Sequence, residues 1–258
     1  MTKKNLIIFD FDGVIIDGME EYWSSSRKAC STLFPSNKSL ILKKESVPNS
    51  FKNLRPWVEF GWEMVLLTNE ISQEKSLLSQ KGWKYFSSNY QEECLKAIKK
   101  LKTDTYTLQL ELDRAREKAI KNDFEKWLYS HKSFPGVIDR IKKIHKEGYL
   151  IAVLSTKNSV FTSKILSSFQ VDIDFIFGHE AGKKTDVLCQ LIEKYQIFGF
   201  IEDKLSTLKK VKKNKIISSI PCFLADWGYL KPNDIKDCQQ NISLLNTKTF
   251  MSPLANWH

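Results

Sequence analysis

The sequence predicts an α/β protein built on a parallel sheet, with an all-helical segment inserted after the first strand. After residue 133, short apolar runs alternate with amphipathic helical segments, which is the pattern of parallel strands joined by right-handed crossovers. Residues 18–132 show only helical patterns. We therefore expect one domain made of residues 1–17 and 133–258, and a helical domain made of residues 18–132.

The first strand is the apolar run from Leu6 to Phe9, and its continuous apolar character is typical of a strand buried on both faces. Asp10, Asp12 and Gly13 follow it directly. Open α/β sheets bind ligands at the carboxyl ends of their strands, and two close carboxylates usually hold a cation or share a proton. A hairpin with Asp12-Gly13 as its turn is the alternative. Polar clusters after later strands favour a site.

Four helices are predicted in the inserted segment. They are expected at Glu20 to Phe34, Arg55 to Ile71, Ser88 to Lys102 and about Thr105 to Tyr129. The second carries a concentrated aromatic and charged group, which consists of Arg55, Trp57, Glu59, Trp62 and Glu63. This group suits substrate contact, but tryptophans of this kind more often pack in a domain interior.

Strands and helices alternate through the rest of the chain. Strands are expected at 149–154, 175–177, 198–201 and 222–225, and helices at 137–146, 159–169 and 185–195. Three strands end in polar clusters, namely Asp10 and Asp12, then Ser155 and Thr156, then Glu202 and Asp203. Because the carboxyl ends of parallel strands meet at one edge, we expect these clusters to lie close together.

Composition narrows the class of protein. No apolar run approaches the ~18 residues that a membrane span requires, and the start of the chain is too short for a signal peptide, so we expect a soluble cytoplasmic protein. The five cysteines are scattered, which indicates neither a disulfide framework nor a zinc cluster. The net charge is +10. We interpret the basic run at 209–215 as a solvated helix face and not a nucleic-acid site, while the charge favours small anionic substrates.

The residue types at this edge indicate a metal and a phosphate. Carboxylates at two strand ends and hydroxyls at a third suit Mg²⁺, which prefers oxygen ligands, together with a bound phosphate. Asp10 and Asp203 meet that requirement. A lysine is also needed to balance the negative charge, and Lys183 and Lys184 stand just before a predicted helix.

In these motifs the chain resembles the haloacid dehalogenase-like superfamily, specifically its phosphatases with a helical cap, such as the phosphoglycolate phosphatases. Residues 9–14 (FDFDGV) resemble the first motif, residues 153–155 (VLS) the second, a lysine at 183 or 184 the third, and residues 200–203 (FIED) the fourth. The resemblance implies a Rossmann-like parallel-sheet core with an inserted all-helical cap domain. The cap is expected to close over the site.

The resemblance also implies a role for each site residue. Asp10 would be the nucleophile, Asp12 the general acid and base, and Ser155 and a lysine would complete the catalytic group. The implied phosphate-binding residues are Gly13, Ser155, Thr156 and Lys184, or Lys183 in the alternative alignment. The implied Mg²⁺ ligands are Asp10, Asp12 through its backbone carbonyl, Asp203 and Glu202. The usual second acid of the fourth motif is replaced here by Thr207.

These motifs predict a Mg²⁺-dependent phosphatase that hydrolyses a small phosphorylated metabolite through an aspartyl-phosphate. The carboxylate at Asp12 favours phosphoryl transfer over dehalogenation, because a departing halide needs no proton. A phosphoglycolate- or sugar-phosphate-like substrate is expected. A phosphomutase of the same fold is one alternative, and a non-catalytic binding or regulatory protein is the other. The sequence does not indicate an oligomeric state.

Overall fold

The computed structural model describes residues 3–238 and 241–257. Within them the chain divides into two compact units. One unit contains residues 3–17 together with the described residues from 132 onward, and the other is Gly18–His131. The second unit ends at His131 because Lys132 already pairs with Asp17 in a strand of the first.

Helices make up the regular structure of the unit Gly18–His131. They are α1 (Met19–Leu33), α2 (Asn49–Leu54), α3 (Gly61–Ser72), α4 (Leu77–Ser88), α5 (Tyr90–Lys100), α6 (Thr105–Asn122) and α7 (Phe124–Tyr129). Short 3-10 turns lie at Leu40–Lys43 and Arg55–Trp57. Among the described residues, no helix of either unit combines the length and the apolar character that a membrane crossing requires.

In this unit two of the predicted helices are interrupted, and two of the observed helices were not predicted. The segment predicted as one helix from Arg55 breaks after a 3-10 turn, since Glu63 accepts the backbone N–H of Glu59 at 2.8 Å and α3 begins only at Gly61. The last predicted helix breaks at Asp123, whose side chain caps α7. The unpredicted helices are α2 and α4, and α4 contains a non-helical kink at Gly82.

Two charged members of the aromatic group, Arg55 and Glu63, lie inside this unit, whereas Glu59 is half-buried. Glu63 is fully buried, and Arg55 is buried with its guanidinium 4.8 Å from the centre of the Tyr22 ring. Trp57 packs edge-on against Trp83, with ring centres 5.1 Å apart. Arg55 and Glu63 are therefore part of the interior of the helical unit.

The other unit contains a six-stranded parallel sheet. Its strands are β1 (Asn5–Phe9), β4 (Leu150–Leu154), β5 (Phe175–Phe177), β6 (Gln196–Glu202), β7 (Cys222–Ala225) and β8 (Ser243–Leu245), and a separate antiparallel pair is formed by β2 (Ile16–Asp17) and β3 (Lys132–Ser133). The order is β5-β4-β1-β6-β7-β8, with every neighbouring pair parallel. This confirms the predicted α/β class, although β8 was not predicted. The strand order reverses at β1, which is where open sheets form a ligand crevice.

Alternating side chains of each strand pack on opposite faces of the sheet. Leu6 and Ile8 belong to the apolar cluster that also contains residues of α10 (Lys184–Lys194) and α11 (Leu205–Lys213). On the opposite face, Phe9 packs edge-on against Phe250, with ring centres 6.3 Å apart. The remaining helices of this unit are α8 (Val137–Ile144), α9 (Ser159–Ser168) and α12 (Thr247–Met251). Both faces of β1 are therefore covered.

A buried ion pair joins α1 to α6 in the helical unit. Arg116 donates to both oxygens of Glu21, at 2.9 and 3.3 Å, and the two side chains are only 2% and 1% exposed. Ser25 also donates to Glu21, at 2.6 Å. Buried charges of this kind depend on each other, since removing one leaves the other unpaired in the interior.

We predict that Arg116→Met lowers the free energy of unfolding by about 3–5 kcal/mol, because the carboxylate of Glu21 would remain buried. The double variant with Glu21→Met should recover much of the loss. Arg114→Met is the matched control, because Arg114 is 62% exposed in its pair with Glu111 and should cost less than about 1 kcal/mol. Urea unfolding followed by tryptophan fluorescence measures all three. Equal losses at Arg114 and Arg116 would contradict the prediction.

Candidate active site

The register of the central strands aligns the polar clusters. Phe9 lies opposite Val153 on one side and Ile201 on the other. The next residue, Asp10, donates its backbone N–H to the carbonyl of Ile201 at 2.8 Å, and Ser155 and Glu202 lie at the ends of the neighbouring strands. The sheet therefore brings all three clusters to one edge.

Three carboxylates converge at this edge. Asp10 is 5% exposed, and Glu202 and Asp203 are fully buried. One carboxylate oxygen from each lies within 4.8 Å of the others. Three carboxylate oxygens this close together are suitable ligands for a hard divalent cation such as Mg²⁺.

Lys184 binds two of these carboxylates. Its ammonium donates to Asp10 Oδ1 at 2.6 Å and to Glu202 Oε2 at 2.7 Å. The other oxygen of Glu202 accepts the backbone N–H groups of Asp203 and Lys204, each at 3.1 Å. Glu202 therefore orients the lysine, and Asp10 and Asp203 are the better candidates for direct metal ligands. Lys183 is exposed and forms the N-cap of α10.

Burial and mutual repulsion govern the protonation of this cluster. Burial, with the negative charge of Glu202, raises the pKa of Asp10 to about 7 against the opposing effect of Lys184. Burial, together with the charge of Asp203, also raises the pKa of Glu202, again opposed by Lys184. Burial acts to lower the pKa of Lys184, but the charges of Asp10 and Glu202 outweigh it and raise that pKa overall. Lys184 therefore stays protonated. Because the carboxylates still repel one another, binding of a further cation beside them is favoured.

Gly13 makes a turn that no other residue type fits. Its φ is +103°, in the region that favours glycine, and a Cβ at this position would lie 2.1 Å from Asp203 Oδ2. Its backbone N–H donates to the carbonyl of Ile16 at 2.9 Å. The predicted hairpin alternative is not formed, because β1 pairs in parallel with β4 and β6 and the chain turns directly into β2.

The loop after β4 carries a second lysine. Ser155 is buried, and its hydroxyl oxygen accepts the backbone N–H of Lys157 at 2.9 Å. The ammonium of Lys157 lies 3.6 Å from Asp12 Oδ1. Thr156, between Ser155 and Lys157 in the sequence, is half-buried. No role for Lys157 was predicted from the sequence.

A loop after β7 also contributes to the site and was missed from the sequence. The backbone N–H of Tyr229 donates to Asp203 Oδ2 at 2.9 Å, and its hydroxyl donates to Asp17 Oδ1 at 2.5 Å. Trp227 donates its indole N–H to the carbonyl of Val14 at 3.0 Å. The first bond holds the carboxylate of Asp203, and the other two join this loop to the segment that follows β1. No motif marks the loop, which lies beyond the last predicted strand.

Comparison with known proteins places the chain in a family. Residues 4–205 match the family described as haloacid dehalogenase-like hydrolase. The chain belongs to this family of hydrolases, as the motifs predicted. No curated protein sequence matches the chain.

Several solved structures share the fold along nearly the whole chain. A predicted phosphatase from Clostridium acetobutylicum has 16% identity and a TM-score of 0.60, and the match covers 97% of each of the two chains. A predicted phosphoglycolate phosphatase from Haemophilus somnus has 15% identity and a TM-score of 0.56, over 95% of each chain. A haloacid dehalogenase-like family hydrolase from Streptococcus pneumoniae has 16% identity and a TM-score of 0.53, over 94% of this chain and 93% of its own. At these identities the likeness concerns the fold.

Proposed function

We propose that this protein is a Mg²⁺-dependent phosphatase that hydrolyses a small phosphorylated metabolite through an aspartyl-phosphate intermediate. The observation that carries the proposal is the ammonium of Lys184 between Asp10 and Glu202, beside Asp203, at the end of the central strand. A covalent route splits one difficult displacement into two easier steps. Membership of a hydrolase family and the likeness to structures described as predicted phosphatases support it.

In the first step, a carboxylate oxygen of Asp10 forms a bond to phosphorus, and the bond from phosphorus to the ester oxygen breaks. The electron pair stays on the leaving oxygen, which takes a proton from Asp12 and departs as an alcohol. In the second step, Asp12 accepts a proton from water, and the water oxygen attacks phosphorus. The bond to Asp10 then breaks, which releases inorganic phosphate and restores the carboxylate.

The other site residues are assigned to binding. The hydroxyl of Ser155 accepts a backbone N–H, so its own proton is available to a phosphoryl oxygen, and Thr156 and the turn at Gly13 would border the same group. Lys184 neutralises charge on the transferring group. Asp10, Asp203 and the backbone carbonyl of Asp12 would hold Mg²⁺. The bound cation would supply positive charge that keeps Asp10 ionised and stabilises the developing charge on the phosphoryl oxygens.

We assign substrate selection to the helical unit, as the cap of this enzyme. The substrate is proposed to be a small phosphorylated metabolite that resembles either phosphoglycolate or a sugar phosphate, in keeping with the net charge of +10. Product analysis distinguishes this from a phosphomutase, because a mutase forms an isomer and releases no phosphate.

We predict that Asp10→Asn lowers phosphate release from p-nitrophenyl phosphate by at least about three orders of magnitude, because the amide is a poor nucleophile. Asp237→Asn is the control, since Asp237 is exposed. Circular dichroism should show that both variants keep the fold. Undiminished turnover by Asp10→Asn would rule out the covalent route.

Asp203→Asn should raise the Mg²⁺ concentration for half-maximal activity by at least about 10–100-fold, the range seen when groups that support a metal are removed. Its amide oxygen can still accept the N–H of Tyr229, so the loop should keep its place. Activity titrated with Mg²⁺ measures the effect. An unchanged titration would place the metal elsewhere.

The two neighbouring lysines should behave differently. Lys184→Ala removes the cation between Asp10 and Glu202, and we expect activity to fall by about 10²–10³-fold, as for the loss of other groups that stabilise a transition state. Lys183→Ala should stay close to the unaltered protein, because Lys183 is exposed. Equal mild losses in the two variants would refute the assignment.

A further inference from the structure

The second lysine of the site, Lys157, has no role in the reaction described above. Its side chain is 1% exposed, and its ammonium lies 3.6 Å from Asp12 Oδ1. Moving an ammonium out of water is costly, and a buried ion pair is weak evidence for a gain in stability. The position of this charge, beside the carboxyl group that must reach the leaving oxygen, therefore requires another explanation.

The backbone around Lys157 is held from two directions. Its N–H donates to the hydroxyl oxygen of Ser155 at 2.9 Å, and this hydrogen bond closes a turn between the two residues. Its carbonyl accepts the N–H of His179 at 3.1 Å, from the segment that follows β5. These bonds fix the backbone of Lys157, and the burial of its side chain limits where the ammonium can lie. The ammonium is therefore held near Asp12 before substrate binds.

The two members of the pair differ in accessibility. The side chain of Asp12 is 13% exposed, whereas that of Lys157 is 1% exposed. The carboxyl group of Asp12 is therefore the more accessible member of the pair. Lys184 has a different partner, because its ammonium donates a hydrogen bond to Asp10 and not to Asp12.

We propose that Lys157 is a positioning residue for Asp12: it holds one carboxyl oxygen so that the other faces the leaving oxygen of the substrate. The proposal rests on the phosphatase function proposed above. It assigns the two buried lysines separate tasks, Lys184 with the nucleophile and Lys157 with the group that transfers the proton.

The test compares esters that differ in their need for a proton. In an alkyl ester such as β-glycerol phosphate, the leaving group is a strongly basic alkoxide unless it is protonated. In p-nitrophenyl phosphate, the leaving group is p-nitrophenolate, which departs readily without a proton. The value of kcat/KM reports the first phosphoryl transfer, where the leaving group departs. Lys157→Met should lower it by about 10²-fold for the alkyl ester, the range for loss of general acid catalysis, and by about tenfold or less for p-nitrophenyl phosphate. Lys157→Arg, which keeps the charge, should recover part of the loss.

A double-mutant cycle shows whether Lys157 acts through Asp12. In an Asp12→Asn background, Lys157→Met should cause no further loss on the alkyl ester, because the group it positions is gone. Lys213→Met, an exposed lysine of α11, is the control and should leave both esters unaffected. Thermal unfolding midpoints of all variants identify losses that come from folding, and Lys157→Gln repeats the comparison if the methionine variant unfolds.

The outcomes separate the two proposals. Equal losses on both esters, or a full additional loss in the Asp12→Asn background, would overturn the role of Lys157 while the phosphatase function stood. If the unaltered protein released no phosphate from any ester, the proposed function would fail and the role of Lys157 with it.

Discussion

The concentration of negative charge at the end of β1 is the constraint on which the rest of the site depends. Asp10, Glu202 and Asp203 are buried within a few ångströms of one another, and such a group is stable only if cations and N–H donors surround it. Lys184 is held by two of the carboxylates, and backbone N–H groups bind Glu202 and Asp203. The charge that remains is what makes the site suitable for a divalent cation.

Much of the fold could be predicted because its strands are short, continuous apolar runs. The strands 175–177 and 222–225 are found at the predicted residues. The strand β8 has only three residues and begins with the polar Ser243, so its apolar run is just two residues long. The segment from Arg55 was misread because its helical spacing of apolar residues continues across a break, which depends on the buried carboxylate of Glu63.

The predicted site residues differ from the missed ones in what fixes their position. Asp10, Ser155, Glu202 and Asp203 stand where strands end, so the topology of a parallel sheet is enough to bring them to one edge. The contributions of Lys157 and Tyr229 depend on where one side chain and one backbone N–H point within loops. A linear sequence carries no periodic signal for such directions, and only the folded loops establish them.

The central position of β1 also has a consequence for the order in which the chain can fold. Leu6 is made before the whole helical segment, yet its strand partners are Leu150 and Ile197, which follow that segment. During synthesis an apolar strand must therefore wait, unpaired, until its neighbours emerge from the ribosome, and pairings between such distant segments close slowly. The helical segment is complete before either partner strand exists. Errors of folding should accordingly begin with this first strand, whose end is followed directly by Asp10.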